Sequence, residues 1–158
     1  MRLRLPTDEE WAACAATLSH YGCPPDTLSR EALRVREGRY REVFSGSLAV
    51  LAAVDACSCI PLSLGRKEGE LRADSFLPSL ELGTVLYPVA TRNTVALDAP
   101  RATLFLYGRD VFREHLPVGL PLGRKLVGAR GAFLGFGIYN GRTLANIIDK
   151  GAYVRQFE

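Results

Sequence analysis

Residues 132–156, AFLGFGIYNGRTLANIIDKGAYVRQ, decide how the chain is read. Phe133, Leu134, Phe136, Ile138 and Tyr139 make an apolar, aromatic strand interrupted by Gly135 and Gly137, two positions where a strand bends or lets a second backbone come close. A bend of that kind suits a small barrel. Asn140-Gly141 is a turn pair, and a second apolar run, Leu144 to Ile148, follows it. Asp149-Lys150-Gly151 closes that run ahead of a last strand-like segment, Ala152 to Arg155.

Upstream of this stretch, Arg124 to Gly128 reads as the partner strand of Ala132 to Tyr139, with a turn at Ala129 to Gly131. Leu116 to Gly123, LPVGLPLG, has two prolines and two glycines and cannot be a regular element. Ala99 to Leu106 is predicted to be a helix, Gly108 to open a turn onto Arg109 to His115, and Val95 to Leu97 to start this half as a strand. A boundary near Ala90 to Thr94 then divides the chain into residues 1–92 and 93–158.

In the first half, Arg2 to Leu5 alternates as a short strand does. Thr7-Asp8-Glu9-Glu10 has the form of a capping box, in which a threonine hydroxyl and a glutamate three residues on each take the other's backbone N–H. A helix is predicted from there, its apolar face Trp11, Cys14, Ala15, Leu18 and Tyr21, ended by Gly22 and Pro24-Pro25. Ala32 to Arg36 and Arg39 to Phe44 predict a hairpin joined at Glu37-Gly38, with Arg34, Arg36, Arg39 and Arg41 expected to pair within the protein through Glu31, Glu37 and Glu42. The Ala-rich run Leu48 to Cys57 reads as a buried helix. Pro61 to Gly65 and Glu70 to Ala73 read as strands around a charged turn, Arg66 to Gly69. Phe76 to Leu82 reads as a short helix after an Asp74-Ser75 cap, and Val85 to Val89 as a last strand. The fold class is α+β, with an antiparallel α/β domain first.

Composition places the chain among globular proteins: 158 residues, 47% hydrophobic and 23% charged, enough to bury a sizeable core. No run approaches the roughly 18 apolar residues of a membrane span, and the opening Met-Arg-Leu-Arg-Leu-Pro lacks the apolar core of a signal peptide. An intracellular protein without a membrane partner is expected. Cys14, Cys23, Cys57 and Cys59 form no Cys-x-x-Cys pair, so buried, reduced thiols are expected. The net charge of +3 is uneven: residues 93–158 carry nine Arg or Lys against five acids, residues 1–92 eleven against twelve. A basic second half points to a polyanion partner such as nucleic acid. Seventeen of the twenty basic side chains are Arg, which favours planar contacts to phosphates and bases.

Enzyme chemistry finds no assembled constellation. Gly119 to Lys125 lacks the spacing and the hydroxyl of a phosphate-binding loop, and Gly135-Phe136-Gly137 runs into Asn140 within a strand where a dinucleotide fingerprint needs a strand-to-helix turn. His20 and His115 are the only histidines, and both are read as surface polar groups. No catalytic residue, cofactor or metal is expected.

The Gly-x-Gly strand at 135–137 and the ending Asp149-Lys150-Gly151-Ala152-Tyr153-Val154-Arg155 resemble the closing strands of PUA domains, RNA-binding modules built on a mixed β pseudo-barrel with short helices. Further segments extend the likeness over almost the whole chain: Glu37 to Phe44, Pro61 to Gly65, Gly69 through Phe76 to Leu80-Glu81, and Phe105-Leu106-Tyr107-Gly108. Together they resemble the family of the large ribosomal subunit biogenesis and pre-rRNA processing factor Nip-seven, especially its archaeal homologues.

The resemblance implies a non-catalytic RNA-binding adaptor of large-subunit assembly. The PUA domain at 93–158 would bind precursor ribosomal RNA in flexible or single-stranded form. The domain at 1–92 would offer a surface to ribosome-assembly or RNA-processing proteins. A monomer is implied, cytoplasmic, or nuclear and nucleolar in a eukaryote. The other class consistent with a PUA domain is an RNA-modifying enzyme or a subunit of one. In PUA domains the glycine of the helix-to-strand turn lets RNA backbone approach, which makes Gly108 with Arg109 the first expected contact. Arg142 matches the basic cluster that archaeal members carry before the terminal Asp-x-Gly, whereas Gly141, Ala145 and Ile148 stand where basic residues can occur. Arg109, Arg113, Lys150 and Arg155 are therefore expected to carry more of the contact than Arg142. Tyr107 and Tyr139 could stack bases, but their place at strand edges predicts barrel core.

Overall fold

Two five-stranded sheets make up the protein, one in each of two compact units: residues 1–19 with 24–82, and residues 20–23 with 83–158. The computed structural model describes residues 3–57, 61, 64–73 and 75–155. Arg2, Cys59, Leu62, Ser63, Asp74 and Gln156 lie outside the described residues, and with them the parts of the sequence reading that rest on them.

The sheet of the first unit is antiparallel throughout, in the order β1 (Leu3–Arg4), β2 (Leu33–Arg36), β3 (Arg41–Ser45), β4 (Arg66–Arg72), β5 (Ser75–Pro78). Helix α1 (Asp8–Tyr21) starts at the capping box that the sequence contains. Thr7 N–H donates to Glu10 Oε2 at 2.9 Å and Glu10 N–H to Thr7 Oγ1 at 3.2 Å. Cys14 and Leu18 are buried on its apolar face.

Five expectations in this half are corrected. Arg66 to Gly69 is strand, not turn: it pairs with β3 in a charged stretch whose alternation is broken by a bulge, with Glu68 and Leu71 buried while Lys67 and Glu70 are only partly so. Phe76 begins no helix, because Ser75–Pro78 pairs with β4 as β5. The helix, α3 (Leu80–Leu86), starts where Ser79 Oγ accepts from Leu82 N–H at 3.0 Å, and a 3₁₀ turn (Tyr87–Val89) replaces the strand expected over Val85 to Val89. Helix α2 (Leu48–Ala56) forms with Ser47 as its N-cap, yet Leu51 is its one buried residue; Leu48 is 62% and Val50 47% exposed. Cys57, expected to be buried, is exposed. Cys14 and Cys23 are buried free thiols, and burial pushes the Cys14 thiol up to about 12.

The second unit holds a mixed sheet in the order β6 (Thr94–Ala96), β8 (Gly123–Ala129), β9 (Ala132–Tyr139), β10 (Thr143–Asp149), β7 (Val111–Phe112). Strands β6 and β8 are parallel and the other pairs antiparallel. Helix α4 (Ala99–Leu106) lays Ala102 and Phe105 into a core with Val95, Val111, Val127, Tyr139 and Leu144. On the other side of the sheet Phe133 and Phe136 meet edge-on at 5.1 Å between centroids, with Tyr87 against Phe133 and Tyr21 against Phe136. Gly135 serves close backbone approach, since a Cβ there would come within 2.3 Å of Ile148 O, and a Cβ at Gly137 would come within 2.8 Å of the Leu144 side chain. The ending Ala152–Arg155 is a short helix, α5, not a strand.

Candidate nucleic-acid interface

The end of α4 is closed by the protein's own groups. Gly108 N–H donates to Phe105 O at 2.9 Å and Arg109 N–H to Leu104 O at 3.1 Å, the two bonds of a Schellman ending, with Gly108 in the left-handed region at φ +75°. The last carbonyls are taken by side chains from β10 and α5: Asn146 Nδ2 donates to Phe105 O at 2.7 Å, and Arg155 Nη1 donates to Leu106 O. Asp149, 1% exposed, holds both donors, accepting from Asn146 at 3.0 Å and from Arg155 Nη2 at 2.9 Å. A Cβ on Gly108 would come within 3.3 Å of the Arg155 guanidinium. Gly108 is therefore bare because the turn and Arg155 require it, and Arg155 is committed to Asp149, which raises its pKa.

The remaining cations of this unit differ from those of the first. In the first unit, Arg4 and Arg41 pair with Glu10, Arg30 with Asp8, Arg34 with Asp55, Arg36 and Lys67 with Glu42, Arg66 with Glu68, and Arg72 with Glu70. Arg39 lies over Tyr40. The expected intramolecular pairing holds for Arg34, Arg36 and Arg41, with Asp55 and Glu10 in place of nearer acids for the first and last, but Arg39 makes no ion pair among the described residues. In the second unit, Arg101 pairs with Asp98 and Arg155 with Asp149. Lys125 is fully buried, its Nζ on Asn93 Oδ1 at 2.8 Å and Leu122 O at 3.1 Å, and burial pushes its pKa down. Arg109, Arg113, Arg124, Arg130, Arg142 and Lys150 make no ion pair among the described residues.

Of the residues singled out in the sequence, Gly108, Arg109 and Arg155 meet at the α4 terminus. Arg113 and Arg142 meet across β7 and β10, where Arg113 N–H donates to Arg142 O at 2.9 Å. Lys150 stands at the end of β10 with its ammonium 5.5 Å from the Phe133 ring centroid. Tyr139 is core, as expected, its hydroxyl donating to Gly141 O at 3.1 Å. Tyr107 is not: as the C-cap of α4 it is 68% exposed beside Gly108 and Arg109. The sequence reading passed over Arg124, Arg130 and Phe112, which is 58% exposed next to Arg113. An aromatic flanked by arginine in a two-residue edge strand was the available signal.

The mixed sheet with α4 packed against it gives the second unit a PUA-like fold. More narrowly, residues 93–158 match the model of the UPF0113 PUA domain family. The chain is 37% identical over 112 residues to a UPF0113 protein of Archaeoglobus fulgidus, a match covering 71% of this chain and 62% of that protein, so it spans less than two thirds of that relative's length. It is 29% identical over 165 residues to a UPF0113 protein of Aeropyrum pernix, covering 98% of this chain and 92% of the other. In fold it is similar to a conserved PUA domain protein from Thermoplasma acidophilum, with a TM-score of 0.63 and 17% identity over 99% of this chain and 100% of that one. A hypothetical protein from Pyrococcus horikoshii gives a TM-score of 0.60 and 15% identity, covering 97% of this chain and 99% of that one.

Proposed function

We propose that the protein is a non-catalytic, cytoplasmic RNA-binding factor of large ribosomal subunit assembly, acting as a monomer on flexible precursor rRNA. The observation that supports RNA binding is the asymmetry of the cations. Besides the buried Lys125, six in the second unit make no ion pair among the described residues, whereas in the first Arg39 alone of the described basic residues makes none. Unpaired guanidinium groups on a rigid sheet keep their charge available to phosphates at no cost of breaking an internal pair. The first unit presents apolar surface on α2, Leu48 and Val50, of the kind that protein partners cover. The likeness of the sequence to the Nip-seven family supports the placement in ribosome assembly.

Crosslinking in cells followed by sequencing of the attached RNA tests this reading. Enrichment of large-subunit precursor rRNA is expected. Recovery of transfer or messenger RNA alone, or a change in the mass of bound RNA on incubation, contradicts it.

A further inference from the structure

One corner of the second unit combines an exposed aromatic ring with two of the unpaired guanidinium groups. Val111 is buried in the core, and the alternation of a strand turns Phe112 the other way, where it is 58% exposed on the edge of the sheet. Phe112 lies opposite Thr143 in register. The next pair is joined by the bond from Arg113 N–H to Arg142 O. Phe112-Arg113 and Arg142-Thr143 therefore form a two-strand corner with a ring and two cations on it.

The backbone that carries this corner is fixed. Asn140 Oδ1 accepts from Arg142 N–H at 2.9 Å and from Thr143 N–H at 2.8 Å, and Tyr139 ties down Gly141 O. We propose that the corner is a nucleotide subsite for single-stranded RNA, with the Phe112 ring stacking on one base and Arg113 and Arg142 neutralising phosphates beside it. The inference rests on the reading of this unit as RNA-binding and adds the group that takes a base. A ring with two unpaired positive charges on the next residue pair suits a chain that alternates bases with phosphates. A base inside a stacked duplex keeps its face covered and cannot reach the ring.

The test is binding of the full chain to a labelled oligouridylate and to an abasic oligonucleotide of equal length, each across a salt series. Thermal unfolding confirms that each variant is folded. Phe112→Ala is expected to weaken oligouridylate binding roughly five- to hundred-fold, leaving the salt slope and abasic binding unchanged, and Phe112→Trp to retain affinity. Arg113→Ala and Arg142→Ala are each expected to weaken both probes and to lower the salt slope by about 0.7. The subsite is overturned if Phe112→Ala binds oligouridylate as the native chain does, or weakens both probes equally; in either case the arginine variants can still uphold RNA binding. Failure of the native chain to bind either probe overturns the RNA-binding reading itself.

Discussion

The carboxylate of Asp149, buried to 1% exposure, pairs with Arg155 through Nη2 at 2.9 Å and Nη1 at 3.1 Å, and that pair holds the end of helix α4. The same guanidinium donates to Leu106 O and covers Gly108. Arg155 is thus held by Asp149 and Leu106 O at the Gly108 turn and is not a free cation. Asp149→Ala leaves the partly exposed Arg155 guanidinium and the Asn146 amide without their shared acceptor and is expected to lower stability. Arg155→Lys is not expected to rescue Arg155→Ala, because a lysine cannot bridge Asp149 and Leu106 O with a planar fork. Thermal unfolding checks both; an Asp149→Ala protein as stable as the native one contradicts the assignment.

The first unit makes a pH prediction. Hydrogen bonds from Arg4, then from Thr7 N–H and Arg41, hold the Glu10 carboxyl down at about 2, against the opposing effect of burial. A carboxyl depressed in the folded state contributes stability that is complete above its unfolded value near 4.5 and is lost as pH falls toward 2. Denaturant unfolding between pH 7 and pH 2 is expected to show that loss, and Glu10→Gln to be less stable at pH 7 with a flatter profile. An unchanged profile in Glu10→Gln shows that other groups carry the acid sensitivity.

Variants of basic residues are expected to fall into two groups. Arg34→Ala and Arg36→Ala remove pairs with Asp55 and Glu42, so thermal stability falls while RNA affinity holds. Arg109→Ala, Arg113→Ala and Arg142→Ala remove unpaired exposed charges, so stability holds within about 0.5 kcal/mol, and RNA affinity falls. Arg113 and Arg142 are expected to contribute alike, since both stand at the same strand corner. A loss of RNA binding in Arg34→Ala without unfolding would move the interface to the first unit.

What could be read from the sequence was what local chemistry determines. The Thr7–Glu10 capping box, the turn at Ala129 to Gly131 and helix Ala99–Leu106 each depend on residues within a few positions of one another. The first part of strand β4, Arg66 to Gly69, was missed because it is charged and bulged, and such a stretch reads as a turn until Lys67 and Glu68 are seen bonded to Glu42 and Ser45 of the neighbouring strand. Val85 to Val89 has the apolar, β-branched content of a strand, but Ser79 had already started a helix three residues before Leu82. At the interface the candidate cations were legible, and their availability was not. Whether an arginine is paired depends on contacts such as Arg34 with Asp55 and Arg4 with Glu37, which lie far apart along the chain. The exposure of Tyr107 and Phe112 follows in the same way from which neighbour, Phe105 or Val111, takes the core.

The central claim is that the unpaired cations of the second unit bind flexible RNA mainly through phosphates, and it is tested by a salt titration of the native chain with a flexible single strand and a matched perfect duplex. The six unpaired cations Arg109, Arg113, Arg124, Arg130, Arg142 and Lys150 set a ceiling of roughly −4.2 for the slope of log affinity against log salt on a single strand. The account predicts a slope between about −1.4 and −2.8, with the single strand bound more tightly than the duplex. Affinity that does not change with salt, or a clear preference for the duplex, contradicts it.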